Sequence, residues 1–145
     1  MNYKDWLIPE LKALESWRAS LANVPDQIEE LERSAVSLRP AAYDSTPVLG
    51  GGNRREDALI ANIAERERLA EGLWITEARV RRLDRALAAL NAQERHVLEY
   101  FYIDRRRNAV EMLMFELGYE KSQVYRIKDD ALLHLARIRY GLVEM

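Results

Sequence analysis

Residues 54–90 contain no proline and one glycine, Gly72. Within them Leu69, Leu73, Thr76, Val80, Leu83, Leu87 and Leu90 recur at alternating steps of four and three. That spacing is the a/d seam of helices wound together. A helix over the whole stretch would reach about 55 Å at ~1.5 Å per residue, and it cannot bury its seam alone. Either an N-terminal helix folds back along it, or the same helix of another subunit covers it. Upstream, Asn62 and Arg66 fall in the seam register, while Leu59, Ile60 and Ile63 offer a shifted apolar face.

The N-terminal part can supply such a cover. Leu7, Leu11, Leu14, Trp17 and Leu21 mark one helical face, and Val24, Ile28, Leu31, Ala35 and Leu38 mark another. Asp26 and Glu29 have capping-box spacing, so Pro25 either kinks one helix or opens a second. Trp6, Trp17 and Trp74 lie on apolar faces by spacing and are expected between the long helices. The stretch "RPAAYDSTPVLGGGNRRE", residues 39–56, holds two prolines and three consecutive glycines. It reads as a flexible linker without regular helix or strand.

The last third is divided by clear punctuation. Asn91 with Glu94, and Asn108 with Glu111, are two N-terminal capping boxes. Between them "RHVLEYFYI" predicts a short helix with Val97, Leu98, Phe101 and Tyr102 inward. The second helix, "AVEMLMFELG", stops at Gly118, a C-cap glycine, and a third runs from about Lys121 to Tyr140. The expected fold is therefore all-α: a long helical hairpin or coiled-coil arm followed by a helix-turn-helix domain. Its parts are an N-terminal helical region over 1–38, the linker over 39–56, a long coiled-coil-like helix over 57–90, and the terminal domain over 91–145.

Over roughly the last 50 residues the sequence resembles region four of bacterial sigma factors. The likeness is carried by Leu90, Arg95, Val97, Leu98, Leu117, Gly118, Val124, Ile127, Ala131, Leu132 and Leu135. With the long helical N-terminal region and the glycine-rich break, the whole plan resembles the small phage late-gene regulators of the ArpU/RinA type. The resemblance implies a phage-encoded transcriptional regulator acting at promoter DNA in the bacterial host cytoplasm, with host RNA polymerase as a second partner. Three departures stand out. Met114 occupies the family's small-alanine position, Glu120 its serine cap, and Asp129 with Asp130 replace neutral or basic residues.

On the third helix, Val124, Ile127, Ala131, Leu135 and Ile138 share an inward arc at 100° per residue. The N-terminal part of the opposite side presents Lys121, Ser122, Gln123, Tyr125 and Arg126. These are the candidate DNA-reading residues: arginine suits guanine, glutamine suits adenine, and lysine or serine suits phosphate. The run Arg105, Arg106, Arg107 precedes the first helix of the motif and is a candidate phosphate contact. Half-sites reward a dimer or higher homo-oligomer, and Leu69, Leu73, Val80, Leu83 and Leu87 are the expected oligomerisation residues. Against these expectations stand two alternatives, a phage small terminase subunit and a sigma-like protein-interaction module that leaves DNA untouched.

Composition narrows the remaining classes. The formal net charge of −2 divides into 9 Lys+Arg against 14 Asp+Glu before residue 79, and 13 against 10 from there on. A moderately basic end after an acidic start fits a nucleic-acid module with a protein-interaction arm. No cysteine exists, which removes thiol catalysis and thiolate metal sites. His96 and His134 lack ligand spacing, His134 having only Asp130 one turn before it. Glu65, Glu67 and Glu71 alternate with Arg66 and Arg68 as on a solvated face, and "LGGGNRR" lacks the ending of a phosphate loop. No catalytic role, cofactor, metal or membrane span is expected.

Overall fold

The computed structural model describes residues 2–38 and 51–141. It is all-α, and no strand occurs among the described residues. Two long helices come first, α1 (Lys4–Leu38) and α2 (Gly51–Ala88). Three shorter ones follow, α3 (Ala92–Leu98), α4 (Ala109–Leu117) and α5 (Lys121–Tyr140), with a π-helical turn over Glu99–Ile103 continuing α3.

The structure decides the alternative at Pro25 and moves one boundary. α1 runs unbroken through Pro9 and Pro25, so Asp26 lies inside a helix and caps nothing. Each proline withholds one N–H from the carbonyl four residues back, a local cost the remaining turns of a 35-residue helix can absorb. α2 starts at Gly51, so residues 51–56 are helical where a linker was expected. The rest of the expected linker, 39–50, lies outside the described residues.

The chain divides into two compact units, one formed by the residues up to Trp17 with those from Ala78 on, the other by Arg18–Glu77. Burial differs sharply between them. The first unit holds Leu7, Leu11, Leu14, Leu83, Val97, Leu98, Leu113, Val124, Ala131, Leu132 and Leu135, all at 0–1% exposure. Among its described residues the second buries only Ala35 and Asn62. Two helices can cover only one face of each other, whereas five converging segments can enclose a side chain from all sides.

In the second unit, Asn62 explains why the apolar seam degrades upstream. Its Nδ2 donates to the Leu31 carbonyl at 2.9 Å, and its Oδ1 accepts from Arg66 Nε at 2.9 Å. A polar residue inside a helix pair fixes which residues face each other, because any slip leaves it unpaired. On the outer surface of α2, Glu65 and Arg68 pair at 2.5 Å, as a solvated face should. Trp74 contradicts its expected place, being 70% exposed. It lies 100° round from Leu73, off the seam.

In the first unit, the far end of α5 is tied to α1. Arg139 pairs with Glu10 at 2.9 Å with both side chains only 16% exposed. The Tyr140 hydroxyl donates to the second Glu10 oxygen, and Trp6, expected between the long helices, is instead 46% exposed and meets the Tyr140 ring edge-on at 5.8 Å. Lys4 reaches Asp129 at 3.7 Å. Trp17 carries the Arg79 guanidinium over its ring at 5.7 Å.

Two outcomes follow from these contacts. Asn62→Ala should lower unfolding free energy by about 1–2 kcal/mol, the worth of two part-buried hydrogen bonds, measured as a shift in urea midpoint. Burial, with the hydrogen bond to Glu10, raises the Tyr140 phenol well above its ordinary value of 10.0. The unfolded chain releases that proton near 10 while the folded protein keeps it, so stability is intact below about pH 10 and falls above it. Thermal unfolding at pH 8 and pH 11 should show this loss, and Tyr140→Phe should lessen it.

Candidate nucleic-acid interface

The terminal three helices are organised around an extra residue. α3 opens on the Asn91 capping box, with Asn91 Oδ1 accepting from Glu94 N at 2.8 Å and Glu94 Oε1 accepting from Asn91 N at 3.1 Å. At Glu99 the helix widens into a π turn. Such a turn takes up one additional residue and rotates everything after it. Tyr100 is thereby buried at 6% exposure, while Phe101 and Tyr102, expected inward, are half-buried.

Tyr100 and Glu116 then join α3 to α4. The Tyr100 hydroxyl donates to Glu116 Oε1 at 2.9 Å, and His96 Nε2 lies 2.5 Å from Glu116 Oε2. The His96 and Tyr100 rings lean together with centroids 4.3 Å apart. His96 and Tyr100 hold the Glu116 carboxyl below the usual range, and Glu116 in turn raises the Tyr100 phenol. His134 is drawn to Glu94 at 2.9 Å rather than to Asp130. Both histidine partners are remote in sequence, 20 and 40 residues away, so no local spacing could show them.

α4 begins at Asn108 as expected, but without the box: the Asn108 side chain caps nothing, and its backbone sits at φ −112, ψ 42. Box geometry needs an extended N-cap, and here the chain arrives from a tight loop instead. α4 ends at Gly118, whose φ of +72 puts it in the left-handed region that closes a helix without Cβ strain. Val97, Tyr100, Ala109, Leu113 and Val124 form the small core on which α3, α4 and α5 meet, with Met112, Met114, Leu117 and Ile127 against it. Met114 fits the position of a small residue by lying half-buried along this core, one side open. α5 starts without a side-chain cap, the Gln123 and Val124 amides bonding to the Glu120 carbonyl at 3.0 and 3.1 Å.

The five expected reading residues share this start of α5 but differ in freedom. Lys121, Ser122 and Arg126 are exposed, and Gln123 is half-buried. Arg126 and Asp130 form no ion pair among the described residues. Tyr125 is partly engaged, its ring 6.0 Å from Phe101 and beneath Lys128 at 5.1 Å. Lys128 covers both aromatic rings while pairing with Asp129 at 3.5 Å. Lys4 and Lys128 thus offset the charge of Asp129, and Asp130 is the acid left facing outward.

The three arginines also separate. Arg106 is committed, with Nε 2.9 Å from Asp104 Oδ2 and its guanidinium 4.1 Å above the Tyr100 ring. Arg105 and Arg107 are exposed and make no ion pair among the described residues. Arg105 stands at φ +45, a left-handed backbone that a side chain tolerates only when its neighbours hold it. The Arg106 amide bonding to the Tyr100 carbonyl at 3.0 Å is one such hold.

The expected oligomer seam is corrected at three of its positions. Val80, Leu83 and Leu87 are buried within the chain and have no surface left to offer another subunit. Leu69 and Leu73 are half-buried. Among the described residues no cluster of His, Asp or Glu could hold a metal ion, and no helix is long and apolar enough to cross a membrane. No family model matches this chain, and no curated protein or solved structure matches it.

The depressed Glu116 carboxyl gives a signed outcome. Its contribution is present above its ordinary value of 4.5 and is lost as pH falls through the lowered folded value. Glu116→Gln should therefore be less stable than the parent at pH 6, with the gap closing towards pH 3 in urea titrations.

Proposed function

We propose that this chain is a DNA-binding transcriptional regulator that lays the first two turns of α5 in the major groove. The reading rests on one juxtaposition. Lys121, Ser122 and Arg126 stand exposed on the first turns of a helix that follows a left-handed Gly118 and packs on α4. In helix-turn-helix proteins the start of the second helix meets the base edges. Arg126 and Gln123 have the donor patterns for guanine and adenine. Arg105 and Arg107 supply phosphate contacts, while Arg106 stays with Asp104 and Tyr100. Glu120 precedes the helix and repels phosphate from its uncapped amides, so contact is made by side chains.

The setting at late phage promoters in a bacterial cytoplasm, with host RNA polymerase alongside, rests on the resemblance of the last 50 residues to sigma region four. A homo-oligomer would use apolar side chains the chain leaves uncovered. In Arg18–Glu77 these include Val36 at 67% exposure, Ile60 at 62% and Trp74 at 70%, with Ile63 and Ile75 beside them in sequence.

Selection from a random duplex library should enrich a specific sequence. Gln123→Ala with Arg126→Ala should weaken that site by about 10- to 100-fold, from roughly 1–3 kcal/mol per bidentate contact. Arg105→Ala with Arg107→Ala should weaken enriched and random duplexes alike and reduce the salt slope by about 2. A library without enrichment, or an enriched site indifferent to Gln123 and Arg126, would overturn base reading.

A further inference from the structure

Phe115 is 91% exposed, on a helix whose opposite face is fully buried at Leu113. Two residues along a helix is a turn of about 200°, so Phe115 points straight away from the core. Neither the packing of α4 nor the proposed reading face uses it. It forms a ridge between two open hollows. One, of about 530 Å³, is lined by Glu111, Met114, Gly118, Tyr119 and Glu120. The other, of about 250 Å³, is lined by Met112, Glu111, Glu116 and Asn108.

The chemistry of this face is one-sided. Its apolar elements are the rings of Phe115 and Tyr119 and two methionines, adaptable surfaces for a partner's side chain. Its charged elements are all acidic, and no lysine or arginine lines either hollow. Glu116 is held by His96 and Tyr100. Glu111 and Glu120 make no ion pair among the described residues, so their charge is uncompensated beside the exposed ring. Phosphates would be repelled here, and an apolar partner without charge would leave two carboxylates facing nothing.

We infer that the Phe115 ridge is a docking surface for a basic amphipathic segment of another protein. A large apolar side chain of that segment would seat against Phe115 and the methionines, and flanking lysines or arginines would meet Glu111 and Glu120. The surface is separate from the side chains proposed to read DNA, and its occupancy does not depend on that reading.

The test uses the full chain and three labelled synthetic peptides of equal length in fluorescence anisotropy. One is a helical leucine/lysine peptide, the second replaces its lysines by glutamate, and the third replaces its leucines by serine. The leucine/lysine peptide should bind, and the other two should bind at least about tenfold more weakly. Phe115→Ala, and separately Glu111→Lys with Glu120→Lys, should each weaken the leucine/lysine peptide about tenfold or more, the loss expected at an interface hot spot. Gln123→Ala with Arg126→Ala should leave peptide binding unchanged, so failure of the DNA reading and failure of this one are told apart. The proposal is overturned if Phe115→Ala binds the peptide as the parent does, or if the serine/lysine peptide binds as well as the leucine/lysine one. Sedimentation showing that Phe115→Ala dissolves a dimer would equally overturn it, by making a second copy the occupant.

Discussion

The C-terminal helices depend on the one extra residue in the turn after α3. A regular continuation of that helix would put Phe101 and Tyr102 inside, as their spacing suggests. The π turn over Glu99–Ile103 buries Tyr100 instead. Its hydroxyl is then available to Glu116 on α4 and its ring to Arg106 in the loop. One side chain therefore fixes the pitch of α4, the course of the 104–108 loop and, through Val124 in the shared core, the start of α5. A π turn is less favourable than an α turn and persists where surrounding contacts determine it. Here those contacts are a buried phenol with a charged acceptor and a stacked guanidinium.

The same anchoring sets two faces of opposite chemistry side by side. Glu120 closes the acidic face around Phe115, and Lys121 opens the polar start of α5. Gly118 makes this possible, because its left-handed backbone ends α4 within three residues of the next helix. A longer connection would separate the faces, and a residue with a Cβ at φ +72 would strain the turn. Charge is divided between them, with Lys121 exposed on one side and Glu111 and Glu120 on the other.

What the sequence revealed follows from the range of the forces involved. Helix ends are set by local chemistry, so the Asn91 box, the Gly118 stop and the span Lys121–Tyr140 were legible. The inward arc of α5 was legible over Val124, Ala131 and Leu135, all fully buried, whereas Ile138, expected inward, is 38% exposed. Gly51–Glu56 misled, and Pro25 left two readings open, because intrinsic propensity is a matter of a few kcal/mol at most, and a long helix packed on one side outweighs it. Tyr100 was missed because one added residue changes every later angle, and periodicity assumes none. Glu116, which joins His96 to Tyr100, carried no local signal; its partners lie 16 and 20 residues back in the chain. Phe115 was visible only as one apolar residue in an apolar helix, and its exposure required knowing which side Leu113 faces.

The far end of α5 shows how the helix is held against α1 without any contact to its first turn. Glu10 receives both Arg139 and Tyr140, and removing one member of a buried ionic cluster costs roughly 3–5 kcal/mol, somewhat less where, as here, residual exposure screens it. Two hydrophobic residues in place of Glu10 and Arg139 could give equal stability, but they would slide. A carboxylate shared between a guanidinium and a phenol has one good geometry, and it fixes the rotation of α5 about its own axis. Rotation is what matters for a surface helix, because a turn of 100° would carry Arg126 from solvent to the flank of the core. Trp6 adds an edge-on ring contact to Tyr140. Lys4 on Asp129 adds a second hold midway along α5, and neither contact touches Lys121, Ser122 or Arg126. The side chains free to meet a partner are therefore at one end of the helix, and the interactions that set their orientation are at its middle and other end.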